Sequence, residues 1–486
     1  MPQFPETKLF IDGELRPASG GATYADYSPW TGEEIGRAAD ATLGDLDTAI
    51  AAARRAFDET DWSTDHPKRV EHLRKFVEGI RANRNRIADL VKHEVGAAAA
   101  TIMTGQCDKP LGLMDFPLEI AGSYAWEQDL GVSNIFGIAS RRKIWKEPIG
   151  VVAAITPWNV PVQINLAKVL PALAAGCTVV LKPAPETPML AAILGEIAVE
   201  AGLPRGVFNV VTSSSPIEVG EALVKDSRVD LITFTGSTAT GKRIMANAAD
   251  RIARVFLELG GKSASIVLED ADFARAVAGA ANLAYHAGQG CAHLTRLLVP
   301  RSRYEEAINI LKTAFENIQY GDPDAPGQVM GPLISERQRQ RVLDYIEIGK
   351  KEGARLVTGG GVPARLKEGF FVEPTLFADV TNDMRIAREE IFGPVLVVIP
   401  FDNDEDAIRI ANDSPYGLSG AVNSGSLERA THIAHKIRTG TFSVNGGVWL
   451  GADSPFGGYK QSGVGREMGL AGFEEYLETK TVGFRE

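Results

Sequence analysis

Cys291 stands in Gly288-Gln289-Gly290-Cys291, and Glu258 in Leu257-Glu258-Leu259-Gly260-Gly261-Lys262-Ser263, so a nucleophile and a candidate base are each set among small residues. A thiol is intrinsically very nucleophilic even when mostly protonated, and a flexible Gly-rich loop gives it access to an electrophile. A lone cysteine is nevertheless more often a small buried hydrophobe than a catalyst. Cys107 and Cys177 fit that plainer role: Cys177 opens the apolar run Thr178-Val179-Val180-Leu181, and Cys107 has no activating acid, base or glycine loop beside it. Glu258 is more unusual, because it follows Val255-Phe256-Leu257, and a charge in such a setting is seldom buried without a partner or a purpose.

Three further segments carry polar groups at informative places. Thr235-Gly236-Ser237-Thr238-Ala239-Thr240-Gly241-Lys242 follows a strand pattern and opens a helical one, where free N–H groups and the helix dipole favour a phosphate. Its spacing is not G-x-G-x-x-G, so a simple capping turn is an equal reading. Thr156-Pro157-Trp158-Asn159-Val160-Pro161 is a tight bend in which two prolines restrict the chain around Asn159. An asparagine held in this way is suited either to donate to a developing oxyanion or to tie up its own turn. Lys182, at a strand end, is suited to a ribose hydroxyl or a phosphate, although a solvated lysine is the commoner finding. The segment from Phe456-Gly457-Gly458 to Gly463-Val464-Gly465-Arg466-Glu467 lacks a leading strand and reads as close backbone approach.

The elements that must position these groups alternate in period. Short apolar runs at Val151–Ile155, Thr178–Leu181, Phe208–Val211, Leu231–Phe234, Val255–Leu257 and Ile266–Leu268 are separated by longer helical patterns such as Pro188–Ala201. That alternation predicts a doubly wound α/β fold with a parallel sheet. Asn159, Lys182, Gly236-Ser237 and Glu258 all follow strand ends, the edge at which open α/β sheets bind ligands. Leu46, Ala49, Ile50, Ala53 and Phe57 form an earlier helical stripe, and a second α/β block follows Cys291, with Leu297-Leu298-Val299 as a strand and Ala307, Ile308, Leu311, Phe315 and Ile318 as a helix face.

Composition bounds the partners. A chain of 486 residues exceeds one ordinary core, and 44% hydrophobic with 23% charged residues is ordinary for a globular protein. A net charge of −11 argues against nucleic acid as the main partner; the short basic run Arg141-Arg142-Lys143 reads as a solvated strand edge. Three cysteines without an even framework fit a reducing compartment. No secretory signal is recognisable and no apolar run is long enough to span a bilayer, so a cytoplasmic location, with no membrane partner, is expected.

Taken together these residues resemble the NAD(P)-dependent aldehyde dehydrogenase superfamily. The likeness runs from Leu9-Phe10-Ile11-Asp12-Gly13 to Gly465-Arg466-Glu467. It rests on Pro157-Trp158-Asn159, Lys182-Pro183, Phe234-Thr235-Gly236-Ser237, Glu258-Leu259-Gly260-Gly261-Lys262, Gly288-Gln289-x-Cys291, Glu390-Ile391-Phe392-Gly393-Pro394 and Pro455-Phe456-Gly457-Gly458. The resemblance implies a Rossmann-type dinucleotide-binding domain over 1–126 and 147–260, an α/β catalytic domain over 261–458, and a small β oligomerisation element from 127–146 and 459–486. It also implies a homo-oligomer, a dimer or tetramer. Cys291 would attack an aldehyde, Asn159 and the Cys291 N–H would hold the oxyanion, Glu258 would activate water to release a thioester as the carboxylate, and Lys168 would support the proton path. NAD, with NADP as an alternative, would lie against Ile155, Trp158, Lys182, Gly236, Ser237, Leu259, Gln338, Glu390 and Phe392. No metal is implied.

The chain departs from the family pattern in places. Pro185 replaces the ribose-binding Glu three residues after Lys182, and no additional Arg or Lys close by in sequence suits a 2′-phosphate, which favours NAD. Ala284 and His286 replace the usual Phe and Asn, and the interval from Glu258 to Cys291 is one residue short. His286 is read as a packed residue in a structural position, with a base beside Cys291 as the alternative. Val160, Ile164, Ala167, Gly290, Ala292, Trp449 and Leu450, near the expected aldehyde tunnel, are apolar, which predicts a hydrophobic aliphatic or aromatic aldehyde. A coenzyme A-acylating or hydrolytic cysteine enzyme and a non-catalytic structural homologue remain as alternatives.

Overall fold

A computed structural model describes residues 3–486. Five short parallel strands form the centre of the first sheet: β1 (Val151–Ile155), β2 (Thr178–Lys182), β3 (Phe208–Val210), β4 (Leu231–Thr235) and β5 (Arg254–Glu258). Their spatial order is β3-β2-β1-β4-β5, so the chain winds outward in one direction from β1 and returns to the other side at β4. The strands are apolar along their length because helices cover both faces; β1 to β4 are buried almost throughout. Leu9–Ile11 pairs antiparallel with β3, and Gly463–Val464 pairs antiparallel with β5.

The connecting helices begin and end where the sequence provides caps. Helix α1 (Pro161–Ala175) starts on a proline, which lacks an N–H that would be orphaned there, and ends at Gly176 in the left-handed region. Helix α2 (Met189–Glu200) has its first two N–H groups accepted by the buried Glu94 carboxylate, at 2.5 and 3.0 Å. Helices α3 (Pro216–Lys225) and α4 (Thr238–Ala249) complete the winding.

The apolar run at Ile266–Leu268 belongs elsewhere than expected. It lies at the end of β6 (Ser263–Val267), which pairs with β7 (Leu294–Pro300) and a later strand, Gly420–Asn423, in a separate seven-stranded sheet. The reason is the Gly260-Gly261 break: it turns the chain away after β5, and periodicity alone carries no information on which sheet a buried strand joins.

A third, three-stranded sheet is formed by Glu127–Ile135, Ile138–Pro148 and Leu477–Arg485. Arg141, Arg142 and Lys143 lie on its central strand, not on an edge. They are accommodated there because this sheet is open to solvent and Asp129, Glu486 and Glu127 pair with Arg141 and Lys143. Among the described residues no helix is long and apolar enough to cross a membrane, and no cluster of three His, Cys, Asp or Glu is arranged to hold a metal ion.

Candidate active site

The crevice at the carboxyl ends of β1 and β4 lies where the strand order reverses, the place where an open α/β sheet leaves room for a ligand. A cleft of about 1080 Å³ opens there. Its lining includes Trp158 and Asn159 after β1, Gly236 and Ser237 after β4, Leu259 after β5, and Cys291, Gln338, Glu390 and Phe392 from the second half of the chain. Ile155, Lys182, Glu258 and Lys168 lie behind this surface. Ile155 and Lys182 are register partners at the ends of β1 and β2, and Glu258 is the register partner of Thr235 at the end of β5.

Cys291 is half-buried and its residue lines the cleft. Loss of solvent, followed by the negative charges of Glu258, Glu390 and Glu467, pushes its thiol up to about 12. The segment leading to it is unusual: His286 and Ala287 both adopt the left-handed region, with φ of 52° each. Gly288 follows at φ 70°, and a Cβ there would meet the Gly393 carbonyl oxygen at 2.2 Å, so this glycine is required for the Cys291 loop to pack against the Glu390–Phe392 loop. Cys107 and Cys177 are fully buried.

Asn159 is buried, and its Nδ2 donates to the Gln289 carbonyl at 2.9 Å, which leaves one N–H for a further acceptor. Gln289 is itself fixed: its Nε2 donates to the carbonyls of His286 and Pro332, and its Oε1 accepts from Ile334 N. The asparagine is thus tied to the loop two residues before the sulfur and not only to its own turn.

Glu258 is buried and neither of its carboxylate oxygens has a hydrogen-bond partner among the described residues. Desolvation, then the Glu467 carboxylate, holds its pKa well above the usual carboxylate range. Lys168 on α1 opposes this: its Nζ donates to Glu467 Oε1 at 2.8 Å and Thr233 Oγ1 at 3.0 Å, and it lies 4.8 Å from the Phe256 ring centroid. A Cβ at Gly457 would come within 2.7 Å of Glu258 Oε1, so the Gly-rich segment does make the close approach its composition suggests. That segment also contributes a short strand, Gly463–Val464, at the edge of β5, which sequence reading did not find.

On the other wall, Phe392 has φ 62° and meets Trp158 edge-on, with ring centroids 5.4 Å apart. Gln338 Nε2 donates to the Phe392 carbonyl at 2.8 Å, and Glu390 Oε1 accepts from Gly261 N at 3.0 Å. Burial raises the Glu390 carboxyl to about 7 and lowers Lys182 to about 8. The Lys182 ammonium has a single protein acceptor, the Pro183 carbonyl. Ser237 caps α4 by accepting from Thr240 N. His286 is buried, neutral at ordinary pH with a pKa lowered to about 4 by burial, and has no hydrogen-bond partner for either ring nitrogen among the described residues.

Several functional candidates escaped sequence reading. Glu467 sits in a recognised motif but its ion pair with Lys168 spans most of the chain. Arg337 was not anticipated: it lines the cleft and its guanidinium donates to Glu186 at 3.1 Å, so a cation does stand beside the Lys182–Glu186 loop, contrary to the sequence expectation. It comes from α5 (Glu336–Lys351), far along the chain, which is why proximity in sequence missed it.

The geometry is that of a dinucleotide crevice facing a thiol, and comparison with known proteins agrees. The description of the aldehyde dehydrogenase family matches residues 16–482. The chain is 43% identical to a 3-succinoylsemialdehyde-pyridine dehydrogenase of a Pseudomonas species over 98% of each chain, and 41% identical to a betaine aldehyde dehydrogenase of Bacillus subtilis over 98% of this chain and 96% of that one. Among solved structures, an aldehyde dehydrogenase of Mycobacterium tuberculosis complexed with NAD+ superposes with a TM-score of 0.94 at 43% identity, covering 99% of this chain and 98% of that one. This chain belongs to the aldehyde dehydrogenase family. It is an aldehyde dehydrogenase enzyme built on that family's mixed α/β fold.

Proposed function

We propose that the protein oxidises an aldehyde to its carboxylate with Cys291 as nucleophile, Asn159 as oxyanion donor, Glu258 as the base for hydrolysis and NAD as coenzyme. The observation that carries this reading is Glu258: a buried carboxylate with both oxygens unbonded, whose charge is the foremost one acting on the Cys291 thiol. A structural carboxylate would be paired.

The crevice fits a dinucleotide. It has the volume, an aromatic wall in Trp158 and Phe392, and the N-terminus of α4, where Thr238 and Ala239 N–H have no protein acceptor among the described residues. Lys182 and the Ile155 main chain would hold the ribose side, Gly236, Ser237 and Leu259 the phosphates, and Gln338, Glu390 and Phe392 the far end. Relatives solved with NAD+ support the same coenzyme. Glu186, one residue after the family's usual position, is a ribose acceptor within reach of the same loop, with Arg337 fixing it. NAD held by these residues would supply the hydride acceptor for oxidation at the carbon bonded to Cys291.

The remaining steps belong to the chain. The Cys291 sulfur adds to the carbonyl carbon while its proton passes to a base, since a thiol raised to about 12 does not ionise unaided. Asn159 Nδ2 and the Cys291 N–H stabilise the oxyanion. Oxidation of the thiohemiacetal leaves a thioester, which is hydrolysed by a water that gives its proton to Glu258, a carboxylate whose pKa desolvation raises and which is thereby a stronger base than an exposed one. Lys168 and Glu467 carry that proton outward.

The substrate side is read as hydrophobic. Val160, Ile164, Ala167 and Leu450 are apolar and at least half-buried, and Trp449 stacks on Phe456 at 5.5 Å. A second cleft of about 700 Å³, lined in part by Ala292, carries Asp272 and Arg275, and a charged aldehyde would be read there. The domain divisions expected from sequence, and a homo-oligomer built through the exposed three-stranded sheet, complete the proposal.

The test is reduced-nicotinamide absorbance with hexanal, benzaldehyde, betaine aldehyde or succinic semialdehyde, with NAD or NADP, with coenzyme A added, and with Cys291→Ala. The expected result is a signal with hexanal and NAD that Cys291→Ala abolishes and coenzyme A leaves unchanged. Acceleration by coenzyme A would move the enzyme to the acyl-transferring class; succinic semialdehyde far outpacing hexanal would reassign the substrate.

A further inference from the structure

The chain between the N-terminal helices and the three-stranded sheet contains a π-type turn at Ile102–Gln106, kinked at Thr104, whose φ of −120° and ψ of −108° are not helical. Such widened turns form where an extra residue is accommodated in a helix and are frequent at functional sites. This one touches both arms of the active site. Gln106, 1% exposed, donates from Nε2 to the Asn159 main-chain carbonyl at 3.0 Å. Its Oε1 has no partner among the described residues. The donating group is fixed by chemistry, since a carbonyl oxygen accepts only from the amide nitrogen.

From the other arm, the Tyr285 hydroxyl reaches into the same turn. It lies 2.6 Å from Thr104 Oγ1, accepts from Gly105 N at 3.2 Å and donates toward the Thr101 carbonyl at 3.3 Å. Tyr285 immediately precedes His286 and Ala287, the two left-handed residues that aim the chain toward Gly288 and Cys291. The third side of this frame is the Asn159 Nδ2 bond to the Gln289 carbonyl. Gln106 holds the backbone of the oxyanion donor, Asn159 holds the nucleophile loop, and Tyr285 returns that loop to the turn carrying Gln106.

We propose that the Ile102–Gln106 turn is a positioning element for the reaction, in which Gln106 fixes the Asn159 carboxamide against the Cys291 loop. The inference rests on Asn159 being the oxyanion donor. Gln106 touches no reacting atom; without its bond the Asn159 main-chain carbonyl loses its side-chain anchor, and the amide that must meet the developing charge is held less firmly against the Cys291 loop. An error of this size at an oxyanion donor slows the step in which charge develops and leaves substrate capture nearly untouched.

The experiment measures the pre-steady-state burst of reduced nicotinamide, the aldehyde KM and the NAD Kd by protein fluorescence for Gln106→Met, Tyr285→Phe, Asn159→Ala and the Gln106→Met/Asn159→Ala double variant. Gln106→Met keeps the unbranched shape and removes the donor; Tyr285→Phe removes one hydroxyl and keeps the ring, so it covers the case in which the methionine variant does not fold. Expected are a burst slowed between about tenfold and about 100-fold in Gln106→Met, an unchanged NAD Kd, a KM within about twofold, and a smaller slowing in Tyr285→Phe. Because Gln106 acts through Asn159, Gln106→Met should slow Asn159→Ala no further. Additive losses in the double variant, or an undiminished burst in both Gln106→Met and Tyr285→Phe, would overturn the proposal while leaving the oxyanion reading standing. An undiminished burst in Asn159→Ala would overturn both.

Discussion

At the residue scale the decisive property is charge placed where solvent cannot reach it. Burial, followed by the carboxylates of Glu258, Glu390 and Glu467, raises the Cys291 thiol, so the resting thiol is protonated. The sign follows directly: a raised thiol pKa means the thiolate fraction grows about tenfold for each pH unit until about pH 12. Iodoacetamide labelling of the coenzyme-free enzyme, read at the Cys291 peptide, should therefore rise steadily between about pH 6 and about pH 10. A plateau near neutral pH would show a thiolate already formed and would remove the need for a base. Cys107 and Cys177, both buried and with thiols raised to about 11 by desolvation, should stay unlabelled over the same range. Glu258→Gln, which keeps the shape of the side chain but cannot take a proton, should give an early burst of reduced nicotinamide followed by slow turnover. An undiminished steady rate would take Glu258 out of the hydrolytic step.

At the scale of elements, the ends of β1, β4 and β5 bring Asn159, Ser237 and Glu258 to one edge, and helix α1 brings Lys168 beneath them. Much of this was legible: strands buried on both faces give short apolar runs, and β1, β2, β4 and β5 fall where those runs do. Cys291, Asn159 and the Gly236-Ser237 turn were legible too, because each interrupts an apolar pattern with a reactive group or a turn. What periodicity could not give was assembly across distance. The pairing of Lys168 with Glu467, the Arg337–Glu186 contact and the Gln106–Asn159 bond join residues far apart in sequence, with no local pattern to betray them. The turn at Ile102–Gln106 is invisible for a further reason, since Ile-Met-Thr-Gly-Gln carries no pattern that separates a widened turn from a regular one. The Lys168–Glu467 pair carries a stability prediction at this scale. Lys168→Met leaves a buried carboxylate unpaired, which should cost about 3–5 kcal/mol, and adding Glu467→Gln should recover much of the loss. Urea unfolding of the single and double variants checks it; equal stability of Lys168→Met and the parent would mean the pair is not a buried ionic contact in solution.

At the scale of the whole molecule, the three-stranded sheet is the least self-sufficient part. Its hairpin presents Phe136, 99% exposed, together with exposed Leu130, Val132, Ile135 and Ile138, and Phe484 adds to the apolar surface. Exposed apolar clusters of this kind are typical of association surfaces, which supports the proposed assembly through this sheet. Light scattering should give an integer multiple of 52.1 kDa, and Phe136→Asp should shift it toward the monomer without unfolding the chain. A parent protein that is already monomeric at working concentration would refute the assignment of this sheet to assembly. The two larger sheets meet at the crevice, so the thiol contributed by the second half of the chain faces the ligand cleft formed at strand ends of the first. On the proposed reading, that arrangement, more than any single residue, would place a covalently held substrate against a bound coenzyme.

The central claim is that a carbonyl carbon becomes bonded to the Cys291 sulfur. Peptide mass spectrometry of Glu258→Gln, quenched in acid during turnover of hexanal with NAD, reads that bond directly, since slowed hydrolysis lets the adduct accumulate. The account predicts an acyl mass increment confined to the peptide bearing Cys291, absent without NAD. A burst of reduced nicotinamide with no acyl group on that peptide would contradict it.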